Sequence, residues 1–185
     1  MPSPIGHILS GILLYQIFNR HDARYDVRKL FVYVIISVIP DIDLAIGFLI
    51  NDLKFHQGVF HSLGAAIFAG LIAGIVLIRK KGLFFNGFLL FSGLFYSHVI
   101  LDYLASASDT GYPFGVALFW PFSNEYYVFP VTIFLDILRG TSNETLFSGM
   151  FNFHNLWAVM IELVLFLPLI ILLHHFIFQK FGERL

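Results

Sequence analysis

The chain has 185 residues with a formal net charge of −1, 58% hydrophobic residues, only 12% charged residues and a mean hydropathy of +0.81. That composition excludes an ordinary soluble domain, and the lack of a basic tail or patch argues against nucleic acid as a partner. Cysteine is absent, so there are no disulfides or thiolate metal sites, and any metal must be held by imidazole and carboxylate.

Five apolar stretches approach the length needed to cross roughly 30 Å of hydrocarbon at about 1.5 Å per residue. They cover about residues 5–19, 30–50, 58–78, 83–105 and 155–178. The first is short for a span. It begins almost at the N-terminus, without the basic start or small-residue cleavage site of a secretory signal, and is expected to be retained. A shorter segment at 128–138, bounded by Pro130 and the Arg139-Gly140 turn, is expected to be re-entrant or interfacial. The expected fold is therefore all-α: a polytopic membrane helix bundle forming a single domain over 1–185, with about five transmembrane helices and no internal repeat.

Charge fixes an expected orientation. With the N-terminus outside and the C-terminus inside, Arg20, Arg24, Arg28, Lys29, Arg79, Lys80, Lys81, Lys180 and Arg184 fall on the inner side, nine of the eleven basic residues. Only Lys54 and Arg139 remain outside, the asymmetry on which the positive-inside rule operates. In the third stretch Gly64, Gly70 and Gly74 are expected to serve close helix packing. The loop at 106–127 is long, aromatic-rich and suited to a lid or cleft wall.

Ionisable groups in these stretches need partners, because one Asp, Lys or Arg at a span centre costs ~2.5–3.5 kcal/mol on insertion scales. Pro40-Asp41-Ile42-Asp43 interrupts the second stretch, where Pro40 removes a backbone donor and two carboxylates gather. Two nearby buried acids resist joint ionisation unless a cation intervenes. His56 and His61 flank Gly58 before the third stretch, and a turn there would let both reach one ion. His98 and Asp102, four apart at the end of the fourth, share a helical face; alone, such a pair is as well explained by a hydrogen bond within the helix. His7 opens the first stretch and Glu162 lies about two turns into the last. His154, His174 and His175 read as interfacial, and His21 as solvated.

In the expected topology His7, Asp41, Asp43, His56, His61, His98, Asp102 and Glu162 all fall toward the outer side. Convergence of His and Asp from several helices is how bundles build metal sites, so a polynuclear site with seven or eight ligands is expected.

The ordered elements Gly6-His7, Pro40-Asp41-Ile42-Asp43, His56-x-Gly58-x-x-His61-Ser62, Ser97-His98-x-x-x-Asp102 and Gly115-Val116-x-Leu118-x-Trp120-Pro121-Phe122 resemble the YdjM family over most of the chain. That family is described as inner-membrane-associated, LexA-binding, metal-dependent hydrolases, and is distantly similar to zinc-dependent phospholipases C. The resemblance implies phosphoester hydrolysis by one to three divalent ions, zinc being expected. The metal ligands would be His7, Asp41, Asp43, His56, His61, His98 and Asp102. Asp41 or Asp43 would orient water, and Glu162 joins them as a candidate catalytic carboxylate.

The chain departs from the family at Gln57 and Phe60, where Arg and Thr are usual, so one phosphate-holding cation is missing. It also offers no evident cleavage to generate the amino-terminal metal ligand of those phospholipases. The expected partners are membrane lipid and a phosphoester substrate, lipid or lipid-linked, with Trp120, Tyr126 and Tyr127 as interfacial aromatics. Two rivals are an ion-coupled transporter, since broken helices with buried acids also form cation paths, and a non-catalytic membrane protein with a structural metal.

Overall fold

The computed structural model describes residues 1–20, 25–52, 56, 58–78, 83–105, 115–140 and 142–182. His21, Arg24, Lys54, Gln57, Arg79, Lys80, Lys81, Arg184 and the loop portion 106–114 lie outside them. The helices are α1 (Pro4–Phe18), α2 (Val27–Val38), a single 3-10 turn (Ile39–Asp41), α3 (Ile42–Leu49), α4 (Leu63–Ile78), α5 (Phe84–Ala105), α6 (Leu146–Met150) and α7 (Phe153–Gly182). Among the described residues there is no strand, only an isolated antiparallel bridge between Val116 and Tyr127.

Local chemistry sets the starts. Ser3 caps α1, its hydroxyl accepting from the backbone N–H groups of Ile5 and Gly6, and Pro4 fills the first helical position, where no N–H is needed. Asp26 caps α2 in the same way, accepting from Arg28 and Lys29. The ladder ends at Pro40, which has no N–H to donate, and one 3-10 turn carries the chain into α3.

Three helical runs are long and apolar enough to cross a membrane: Val27–Leu49, Phe84–Ala105 and Phe153–Ile177. Two of the five expected spans fall short of that length, Pro4–Phe18 and Leu63–Leu77. Segment 128–138 is not helical; it runs beside the end of α5, with Ile133 donating to the Leu104 carbonyl. Phe134 stacks there on Phe166 of α7, ring centroids 5.8 Å apart.

The distribution of polarity is that of a chain solvated by lipid. Phe68, Ile75, Val76, Trp157, Val164, Ile171 and Phe176 stand exposed on α4 and α7, while His7, Ser37, Asp43, His61, His98, Asp102 and Glu162 are fully buried. One apolar cluster joins α1, α2, α4 and α5 through Tyr15, Tyr33, Ile36, Ala66, Leu94 and Phe95. A second joins α1, α5 and α7 through Leu9, Ala105 and Phe166. The glycines of α4 do serve close packing: a Cβ on Gly70 would lie 2.0 Å from Ser92 Oγ and 2.6 Å from the Phe88 carbonyl of α5, and one on Gly64 would strike Trp120 and Pro121. This tight α4–α5 hairpin puts the start of α4 beside the end of α5, which brings His61 to His98.

Candidate metal centre

His98 and Asp102 sit one turn apart on the buried face of α5, as their spacing requires. His7 arrives from the first turn of α1 and stacks on His98, centroids 3.6 Å apart and planes 17° from parallel. Asp41 comes from the 3-10 turn, and His61 from the turn before α4. Asp43, two residues beyond Asp41, points elsewhere because side chains two apart on a helix lie nearly opposite. The two acids therefore meet the His61 ring from its two nitrogens: Asp41 Oδ1 is 3.6 Å from Nε2, and Asp43 Oδ2 is 2.9 Å from Nδ1.

The tautomers follow from the acceptors. A carbonyl can only accept, so His98 Nδ1–H donates to Ser37 O at 2.7 Å and leaves the Nε2 lone pair facing inward. That carbonyl belongs to the last turn of α2, which loses its helical partners where the ladder ends. His61 Nδ1–H donates likewise to Asp43, leaving its own Nε2 free. The two Nε2 atoms then face each other at 3.1 Å, a separation that a shared cation, a proton or a metal ion, would fill.

Asp102 Oδ2 stands 3.0 Å from His61 Nε2 and 3.4 Å from His98 Nε2, and Asp41 Oδ1 stands 3.4 Å from His98 Nε2. An ion held tetrahedrally at about 2.0–2.1 Å needs donors roughly 3.3–3.4 Å apart. All four donor atoms lie within 4.8 Å of one another, and Asp43, His56 and His61 form a second such group. The oxygens of Asp41 and Asp102 are buried yet not aligned for any hydrogen bond, as expected of groups aimed at a shared point. These buried His and Asp groups can hold a metal ion.

Around this core, His7 Nε2 lies 3.2 Å from the outer oxygen of Asp102, Oδ1. His56 Nδ1–H donates to Asp43 Oδ1 at 2.5 Å, and its Nε2 rests against Met1 Sδ. Burial lowers the His56 pKa against the opposing pull of Asp43.

A family model described as YdjM inner membrane protein matches residues 1–181. The chain belongs to the YdjM family. With its three long apolar helices, that membership places the chain in the inner membrane. Comparison with curated proteins and with solved structures yields no match.

All seven expected ligands of this YdjM-family chain gather in one connected, buried cluster. Glu162 does not join it. Its carboxylate accepts from the Ser3 backbone N–H at 2.6 Å and from the Ser3 hydroxyl, bracing the start of α1, where a Cβ on Gly6 would press on it at 2.8 Å. His154 donates to the Asp136 carbonyl, and the His174 ring meets Tyr25 edge-on. The role of Ser37 escaped the sequence reading, although Pro40 three residues later marked a turn whose carbonyls would be released.

Asp43 takes an N–H from each of two imidazoles, so its charge fixes the ring that faces the centre. Asp43→Asn is expected to lower metal affinity by about 10–100-fold, the usual cost of losing such a support, without loss of fold. Competition against a chromogenic chelator measures it, and an unchanged affinity would contradict the assignment.

Proposed function

We propose that this chain is a membrane-embedded, metal-dependent hydrolase acting on a phosphoester, lipid or lipid-linked, at the extracytoplasmic face of the helix bundle. The observation that carries the reading is the set of four donor atoms, His61 Nε2, His98 Nε2, Asp41 Oδ1 and Asp102 Oδ2, five of whose six mutual separations are 3.0–3.6 Å, with each imidazole Nδ1 engaged by an oxygen acceptor. Imidazole with carboxylate suits zinc among the common divalent ions.

When bound, such an ion supplies Lewis-acid chemistry, polarising a phosphoryl oxygen and making water acidic enough to attack near neutral pH. The chain's own residues supply the rest. Asp41 is the member of the set whose side chain keeps contact with the outside, 13% exposed against 0% for His61, His98 and Asp102. Its second oxygen, Oδ2, is unpartnered and placed to take a proton from the attacking water. His7 against Asp102 Oδ1 and His56 against Asp43 extend the cluster toward further ions.

Support for phosphoester chemistry comes from the likeness of the ligand set to zinc phospholipases C, and for a lipid substrate from the site's setting among apolar helices. A structural ion is the rival, because four protein donors by themselves complete a tetrahedral sphere. Metal analysis of the purified protein, with phosphodiesterase and lipid-phosphatase assays on wild type, His98→Ala and Asp41→Ala, separates the two. Stoichiometric metal with turnover lost in both variants supports the hydrolase; stoichiometric metal with no turnover on any phosphoester favours the structural ion.

A further inference from the structure

Arg139 ends segment 128–140 as a half-buried cation whose surroundings are unusually well fixed for an irregular stretch. Asn155 of α7 brackets the preceding residue: its Oδ1 accepts from Leu138 N–H at 2.7 Å, and its Nδ2 donates to the Leu138 carbonyl at 2.6 Å and to the Met150 carbonyl at 2.8 Å. His154 holds the Asp136 carbonyl at 2.8 Å, and Ile137 N–H donates to the Met1 carbonyl at 3.1 Å. On the other side the turn admits no side chain. A Cβ on Gly140 would lie 2.2 Å from the Thr145 backbone, and one on Gly149 would lie 2.4 Å from Gly140 N and 3.0 Å from Arg139 C.

What this scaffold presents is a guanidinium beside the metal centre. Arg139 Nη1 lies 3.9 Å from Met1 Sδ, the same sulfur that rests on His56 at the edge of the cluster, within range of the charges of Asp136 and Asp43. No carboxylate among the described residues pairs with it, and Asp136 is taken by the Met1 amino group. A guanidinium carries five N–H donors in a planar fork, and a thioether satisfies them poorly. A divalent ion would balance the charges of Asp41 and Asp102, and Asp43 is already held by the His56 and His61 rings, which leaves the Arg139 fork without a carboxylate of its own.

We propose that Arg139 is an oxyanion subsite beside this centre, its fork taking two oxygens of a phosphate-type group while the metal residues hold the reacting side. The proposal rests on the metal-centre reading above. A phospholipid headgroup and free phosphate share the required tetrahedral oxyanion.

The test uses the full chain loaded with zinc, as wild type, Arg139→Gln and Arg139→Lys. Zinc content is measured on each, followed by titration with inorganic phosphate and, separately, with nanodiscs of phosphatidylcholine with or without phosphatidic acid. With zinc content equal in all three, the expected result is at least about tenfold weaker binding in Arg139→Gln and an intermediate loss in Arg139→Lys, which keeps the charge but not the fork. An effect confined to phosphatidic acid assigns the subsite to a lipid headgroup, and one confined to inorganic phosphate assigns it to a soluble anion. Equal binding in wild type and Arg139→Gln, or none by zinc-loaded wild type, overturns the subsite and leaves the metal centre standing. Should Arg139→Gln fail to fold, unchanged binding in Arg139→Lys overturns it equally. Wild type that takes up no zinc overturns the metal-centre reading and the subsite together.

Discussion

Asp102→Ala is expected to strip the protein of metal at concentrations that saturate the wild type, and with it any hydrolytic activity. Asp102 is the carboxylate on which three imidazoles converge, with His7 Nε2 at 3.2 Å, His61 Nε2 at 3.0 Å and His98 Nε2 at 3.4 Å. Apparent binding energies for structural zinc run to about 10–16 kcal/mol; shared over four donors, each carries roughly 2.5–4 kcal/mol, on the order of a hundredfold in affinity. Asp102→Asn keeps the shape and removes the charge, and it is expected to lose affinity on the same scale because an amide oxygen is a weak zinc donor. Metal stoichiometry after dialysis against a competing chelator is the measurement. Retention of wild-type zinc by either variant would remove Asp102 from the coordination sphere.

Removing the metal from wild-type protein is expected to lower its thermal stability. An ion that binds only the folded chain, present at about a thousand times its dissociation constant, contributes roughly 4 kcal/mol, or on the order of 10 °C in midpoint for a chain of this size. The physical source is local: without a cation, the carboxylates of Asp41 and Asp102 are left buried with donor oxygens no more than 4.8 Å apart and no aligned hydrogen bond. Chelated wild type and Asp102→Ala should therefore unfold at similar temperatures, with chelator adding little to the variant. A midpoint unmoved by verified metal loss would mean that the cluster is stable as a hydrogen-bonded network and needs no ion.

Much of this protein is legible from local properties of the chain. Hydropathy marks the long apolar helices because lipid rewards continuous apolar runs, and it also marks spans at about 5–19 and 58–78, where the helices, Pro4–Phe18 and Leu63–Ile78, are shorter than a full crossing requires. The buried imidazoles and carboxylates stand out by type alone, since each is costly in such surroundings. The i,i+4 spacing of His98 and Asp102 fixes their shared face before any coordinate is known.

Other features depend on contacts between residues far apart in sequence, and no local pattern carries those. Only the tertiary structure divides Asp41 from Asp43 across the two nitrogens of one ring, joins His98 to the Ser37 carbonyl and assigns Glu162 to Ser3 instead of the metal cluster. The same holds for Arg139, which the sequence places in a turn and the fold brings beside the centre through Asn155 and Met1. Residue type and period decide which groups must find partners; the packing of α1, α2, α5 and α7 decides which partner each one finds.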